Sequence, residues 1–329
     1  MQPGRSCPLH YRYSASALAR AADFSAETLY VIGGLYGNVP ALDAVLELAA
    51  HEPGGATLVF NGDFNWFNID AAGFAAINNE VLQHTALRGN VETELANDDD
   101  AAGCGCAYPA WVGNAEVEHS NRIFSCLRET AQTHPELRAR LAALPMHRVA
   151  EVGGLRVAIV HGDAESLAGW GYAQEALADT AHCDSIAAQF DSAQVRIIAS
   201  SHTCLPVLAG FNARNGHSLL INNGATGMPN FAQTRYGVIS RISIRPATHL
   251  QTLYGTRVAG VHVDALPVHY DHARWISMFE TNWPQGSPAH ASYHQRILSG
   301  PHYQLTQVLR GAINPGASSL VTAIPMEKV

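Results

Sequence analysis

Short, mostly apolar runs that stop at Gly, Asn, Ser or His set the rhythm of this chain. They are Leu29–Ile32 before Gly33, Thr57–Phe60 before Asn61, Val157–Val160 before His161, Val195–Ala199 before Ser200 and Ser218–Ile221 before Asn222. Runs of four or five residues rich in β-branched side chains and bounded by turn formers predict strands buried on both faces. Between them the period changes. Residues Pro40–Ala50 place Leu42, Val45, Leu46 and Ala49 on one helical face, with proline in the first turn. A longer helical stretch, Val117–Ala143, carries a break signal at His134-Pro135. Strands alternating with helices predict an α/β sheet whose chemistry sits at the carboxyl ends of the strands.

From about residue 248 the texture shifts. Residues Arg257–Pro301 are rich in His, Tyr, Trp and Pro, and Tyr270–Asn282 is amphipathic through Ala273, Ile276, Phe279 and Glu280. The division expected is a main domain over 1–247 and a C-terminal extension over 248–329 packed on it. The polar group His269, Tyr270, Asp271 and His272 reads as an interface patch or a helix start, with Asp271 near the N-terminus. The tail Asn314–Val329 is expected to be poorly ordered.

Composition narrows the classes. Of 329 residues 47% are hydrophobic and 15% charged, an ordinary globular balance. A net charge of −8 without any basic run argues against non-specific nucleic-acid binding. No segment reaches the roughly 18–20 apolar residues of a membrane span. The first residues lack a signal-peptide core, so a cytoplasmic location is expected. Six cysteines at 7, 104, 106, 126, 183 and 204 are too scattered for a disulfide scaffold.

The predicted strand ends read GGLYGN (33–38), NGDFN (61–65), RGNVE (88–92), VHGD (160–163) and SSHTCLP (200–206), followed by NNGATGMP (222–229). Alone, Asp63 would be a turn aspartate, Asn90 a turn cap, and His161 and His202 hydrogen-bonded core histidines. Asp63, His161 and His202 at successive strand ends point instead to a shared site. The order and spacing resemble the calcineurin-like metallophosphoesterases, whose blocks are D-x-H-G-N, G-D, G-N-H-[DE], a lone His, and G-H-x-H. The resemblance covers roughly residues 29–245. It implies a two-sheet α/β/β/α sandwich and a metal site built from Asp63, Asn90, His161 and His202. One carboxylate, one amide oxygen and two imidazoles suit a divalent transition metal, manganese, iron or zinc, with one or two ions per chain.

The chain also departs from that pattern. Gly34 and Tyr36 stand where the first block carries Asp and His, Val91 replaces the His after Asn90, and Cys204 replaces the second His of the last block. Of the other metal's usual ligands only the bridging Asp63 remains. Tyr36, Cys204 and the loop cysteines Cys104 and Cys106 are the residues able to rebuild it, and thiolates there would favour zinc, iron or copper. Otherwise Tyr36 and Cys204 are packing residues.

The function these residues support is a metal-dependent phosphoesterase, a hydrolase acting on a small phosphomonoester or phosphodiester. Glu92 and Asp163 are its expected proton handlers; otherwise they orient ligands or are solvated turn residues. Two alternatives stay open: a catalytically silent family member binding a ligand or partner, and a repurposed metal–thiolate enzyme. The aromatic-rich extension offers a surface for a homo-oligomer.

Overall fold

A computed structural model describes residues 2–99 and 101–311 of the chain. The expectation for Asn314–Val329 lies outside the described residues. Numbered in chain order, one sheet runs β11 (Tyr254–Val258), β12 (Val261–Val268), β10 (Gly237–Ser243), β2 (Thr28–Ile32), β3 (Thr57–Asn61) and β4 (Thr85–Leu87). The other runs β1 (Phe24–Ser25), β5 (His147–Val152), β6 (Leu155–Val160), β7 (Ile197–Ser200), β9 (Gly216–Asn223), β8 (Pro206–Ala213) and β13 (Leu309–Gly311). Within them β2, β3 and β4 are parallel neighbours, as are β6, β7 and β9. Four of the five runs fall within strands, and Val195–Ala199 overlaps β7, which begins at Ile197.

The alternation of side chains explains why those runs are apolar throughout. Leu29 and Val31 of β2 meet Ile159, Ile197 and Ile221 between the sheets, while Tyr30 and Ile32 join the helix-covered core. That outer layer includes α1 (Val39–Ala50), α2 (Ala71–Val81), α4 (Asn114–Gln132) and α5 (Pro135–Ala142). On the far side Ala158, Val160, Ile198 and Leu220 pack with Ile186 and Phe190 of α6 (Thr180–Ala193). The result is an α/β/β/α sandwich. Each large side chain so buried contributes about 1.5–3 kcal/mol.

Local signals place the helix ends. Asn38 caps α1, its Oδ1 accepting the Ala41 amide at 2.9 Å, with Pro40 in the first turn. The predicted break separates α4 from α5, where His134 before Pro135 is forced out of helical geometry (φ −125°, ψ 64°).

The segment set off at residue 248 is woven into the same frame. β12 pairs antiparallel with β10 from Gly237↔Val268 to Ser243↔His262, and β11 pairs with β12. Asp271 caps α7 (His272–Asn282), accepting the Arg274 amide at 2.9 Å. Trp275 and Phe279 are the buried residues of α7, whereas Ala273 and Glu280 are exposed. The ring of Phe279 stands perpendicular to Phe67 at 5.2 Å, and the Trp283 indole donates to the Phe67 carbonyl at 3.1 Å. A further helix, α8 (Pro288–Ser299), lies against α4.

One ion group is buried. Arg241 of β10 meets Glu52 at 2.8 Å and Asp264 of β12 at 3.3 Å, and the Tyr30 hydroxyl donates to Glu52 at 2.6 Å. Its partners hold Glu52 below the usual glutamate range although burial pushes the other way. Among the described residues no helix is long and apolar enough to cross a membrane.

Candidate metal centre

The carboxyl ends of β3, β4, β6 and β7 converge, and each delivers one polar side chain: Asp63, Asn90 at the start of α3 (Asn90–Ala96), His161 and His202. Two glycines make the approach tight enough. At Gly62 (φ +77°) an added Cβ would lie 2.5 Å from the Gly89 amide nitrogen and 2.7 Å from His161 Nδ1. A Cβ on Gly89 would run into the Asp63 carboxylate. Asp63 (φ 52°) and His202 (φ 24°) both hold left-handed backbone, as do Tyr36 (φ 56°), Cys204 (φ 60°) and Ala107 (φ 50°) nearby. Strained non-glycine residues gathered at one place mark functional sites.

The hydrogen-bond partners fix which atoms face inward. His161 Nδ1 lies 2.8 Å from the Asn61 carbonyl oxygen, which can only accept, so Nδ1 carries the proton and Nε2 a lone pair in the neutral ring. His202 Nε2 donates to the Cys106 carbonyl at 3.1 Å, which leaves Nδ1 bare. Asn90 Nδ2 donates to the Cys104 carbonyl at 2.9 Å, turning Oδ1 inward. Around His161 Nε2 then stand Asn90 Oδ1 at 3.2 Å, His202 Nδ1 at 3.2 Å and Asp63 Oδ2 at 3.3 Å. Four acceptors aimed at one another in a buried space need either a proton or a cation between them.

The electrostatics agree. Burial works to lower the His161 pKa, but Asp63, Glu92 and the Asn61 carbonyl together raise it above the ordinary value. Burial and then His161 push His202 down to about 3, so it stays neutral. Burial would raise Asp63, yet His161, His202 and the Val91 amide hold it below the aspartate range. The ligand atoms of Asp63, His161 and His202 lie within 4.8 Å of one another, and all three residues are buried. This buried Asp/His/His group, with Asn90 beside it, has the donor set of a divalent-metal site.

Glu92 and Asp163, read from sequence as proton handlers, have both carboxylate oxygens engaged by backbone amides. Glu92 Oε2 accepts Asp63 N at 2.7 Å and Gly89 N at 3.0 Å, and Oε1 accepts Phe64 N at 3.1 Å. It ties the loop of Asp63 to the loop of Asn90. Burial and the neighbouring Asp63 raise its pKa to about 7. Asp163 Oδ1 accepts the amides of Glu165 and Ser166, and Oδ2 accepts that of Gly171.

The further candidate ligands fall into two groups. The Tyr36 hydroxyl lies 2.9 Å from Cys204 Sγ, and the Tyr36 ring occupies the space beside Gly34, with Cζ 2.9 Å from where a Cβ would stand. Cys104 and Cys106 form a disulfide in place of the free thiolate ligands expected from their spacing, and their backbone carbonyls hold Asn90 and His202.

Two neighbours carry no sequence signal. The Trp170 ring meets His202 edge-on at 5.2 Å while its indole N–H donates to the Cys106 carbonyl at 2.9 Å. Arg296, from α8, donates to the Cys204 carbonyl at 2.6 Å. An alignment of strand-end motifs does not reveal a lone tryptophan in a loop or an arginine from a distant helix.

Among solved structures the chain is similar to a hypothetical protein from Pyrococcus horikoshii OT3, with 16% identity and a TM-score of 0.56 over 84% of this chain and 99% of that one. A metallophosphoesterase from Sphaerobacter thermophilus shows 16% identity and a TM-score of 0.52 over the same shares. No protein-family model matches the sequence, and no curated protein does. At such identity the likeness is one of fold: the chain has the metallophosphoesterase fold.

Proposed function

We propose that this chain is a metal-dependent phosphoesterase with a single well-formed metal position, acting on a small phosphomonoester or phosphodiester. What supports the reading is the convergence of Asp63, Asn90, His161 and His202, with both outer imidazole nitrogens and the outer amide nitrogen committed to carbonyls. Asp63, Asn90, His161 and His202 would hold a divalent ion, which would supply Lewis-acid charge toward a phosphoryl oxygen and lower the pKa of water there.

The protein's own groups prepare that site. The Asn61 and Cys106 carbonyls select the histidine tautomers and fix the ring planes. Glu92 locks the two ligand loops together through three backbone amides. Tyr36 and Cys204 close the neighbouring position against each other, which favours one ion over two. Asp163 closes the turn after His161 through the amides of Glu165, Ser166 and Gly171.

The test is hydrolysis of p-nitrophenyl phosphate and bis(p-nitrophenyl) phosphate by chelator-treated protein with and without added manganese. Turnover that needs the ion and vanishes in Asp63→Ala and His161→Ala is expected. Metal uptake without turnover on either ester would instead leave a ligand-binding module, the reading that the Tyr36–Cys204 contact favours second.

A further inference from the structure

The loop Gly103–Ala107 lies against the candidate metal residues without lending them a ligand atom. Cys104 and Cys106 are buried and joined to each other, with their Cα atoms 5.4 Å apart. An extended chain would set them about 6.6–7.2 Å apart, so the cross-link holds this turn contracted. Gly103 (φ +61°), Gly105 (φ +65°) and Ala107 (φ +50°) alternate with the cysteines in left-handed backbone. The two glycines adopt it freely, whereas Ala107 holds it only because its surroundings enforce it.

The contraction determines where two carbonyls point. The Cys104 carbonyl accepts Asn90 Nδ2 at 2.9 Å, and the Cys106 carbonyl accepts both His202 Nε2 at 3.1 Å and Trp170 Nε1 at 2.9 Å. One turn thereby orients two of the four candidate ligands from behind, and Cys104 N is itself held by Asn121 Oδ1 at 3.1 Å. Freed of the cross-link the turn can lengthen, and the carbonyls no longer stay in register with both ligands.

We infer that the Cys104–Cys106 disulfide is a positioning device for the metal site, so that its reduction by a dithiol weakens the hold on metal. The inference rests on the metal reading above. In the step, a dithiol thiolate attacks one cysteine sulfur, the S–S bond breaks and a mixed disulfide forms. The second thiol of the reagent then displaces the other cysteine. Two electrons pass to the cysteine pair, two protons end on its sulfurs, and the reagent leaves as a cyclic disulfide.

The experiment compares manganese affinity of oxidised and reduced protein. The full chain is purified without reductant, and a portion is treated with dithiothreitol and desalted under inert gas. Thiols are counted in denaturant, and manganese is titrated calorimetrically. Four thiols before reduction and six after are expected, from the free Cys7, Cys126, Cys183 and Cys204 and the two released. Reduction should weaken manganese binding by at least about 10-fold, as loss of groups that orient ligands does. Reoxidation should restore it, and a Cys104→Ser/Cys106→Ser variant should bind weakly whether or not dithiol is present. Equal affinity in the four-thiol and six-thiol forms overturns this inference alone, as do six thiols in untreated protein. An oxidised protein that takes up no manganese overturns both it and the metal reading.

Discussion

Nε2 of His161 stands 3.2 Å from Nδ1 of His202, and in the neutral tautomers set by their carbonyl partners neither atom carries a proton. Two bare imidazole nitrogens so close, with a carboxylate and an amide oxygen beside them, form an arrangement that a cation stabilises. Metal should therefore act as a folding ligand. At 100 times its Kd a ligand adds about 2.7 kcal/mol, which raises the unfolding midpoint of a chain this size by roughly 4 °C. Thermal scans with manganese and with chelator measure this. His161→Ala should lose the manganese-dependent rise, and a rise that survived in that variant would place the ion elsewhere.

Proton and cation compete for the same lone pair. The His161 pKa is raised above 6.5 because Asp63, Glu92 and the Asn61 carbonyl together outweigh burial. Below that raised pKa the ring is protonated, so manganese affinity should fall by about tenfold per pH unit as pH drops. Above it the affinity should level off. His202, already down at about 3, should add no step in the pH 5–8 range. Titrations at pH 5, 6, 7 and 8 test the sign; an affinity flat across that range would contradict it.

At pH 8, above its raised pKa of about 7, Glu92 is a carboxylate, and Glu92→Gln keeps the shape and removes the charge. Its carboxylate accepts the amides of Asp63, Phe64 and Gly89, whereas glutamine must turn an NH2 group toward one of those donors. Losing charge-assisted bonds of this kind costs about 1.5–3 kcal/mol each. The expected outcome is a lower denaturation midpoint together with at least about 10-fold weaker manganese binding. A destabilised variant with unchanged affinity would reduce Glu92 to a loop staple without influence on the metal.

Cys204→Ala separates a hydrolase site from a thiolate site. Cys204 Sγ pairs with the Tyr36 hydroxyl and lies outside the Asp63, His161 and His202 group. Removing it should leave manganese stoichiometry unchanged. Tyr36→Ala empties a buried aromatic position and should cost about 3–5 kcal/mol. Metal lost from Cys204→Ala, measured by elemental analysis, would instead make the sulfur a ligand.

Arg241→Met tests the fold apart from the site. It strands Glu52 and Asp264 in the interior and should destabilise by about 3–5 kcal/mol. Glu52 follows the C-terminal end of α1, whereas the site lies at that helix's N-terminal end, so manganese affinity of the folded variant should not change.

The sequence makes the inner strands legible because they are buried on both sides and are apolar over most of their length. Asp63, His161 and His202 are legible because each follows such a strand. β10 escapes the same reading: its sequence GVISRIS is half polar, yet Ser240, Arg241 and Ser243 are buried, Arg241 finding Glu52 and Asp264 and the Ser243 hydroxyl finding Thr28. No local pattern announces a charge whose partners lie 189 and 23 residues away. The tautomer-setting groups are equally silent, since Asn61 and Cys106 act through backbone carbonyls that every residue possesses. Cys104 and Cys106 illustrate the other limit. Their spacing suggests metal chemistry or none, and only the geometry of the loop turns the pair into a cross-link whose carbonyls face the ligands.

The most direct measurement is the number of metal ions bound per chain at equilibrium, by dialysis of oxidised, chelator-stripped protein against manganese, zinc or iron followed by elemental analysis. One ion per chain, absent in Asp63→Ala and in His161→Ala, is the predicted result. Protein that retains none of the three metals, or that binds equally well without Asp63 and His161, would contradict the account.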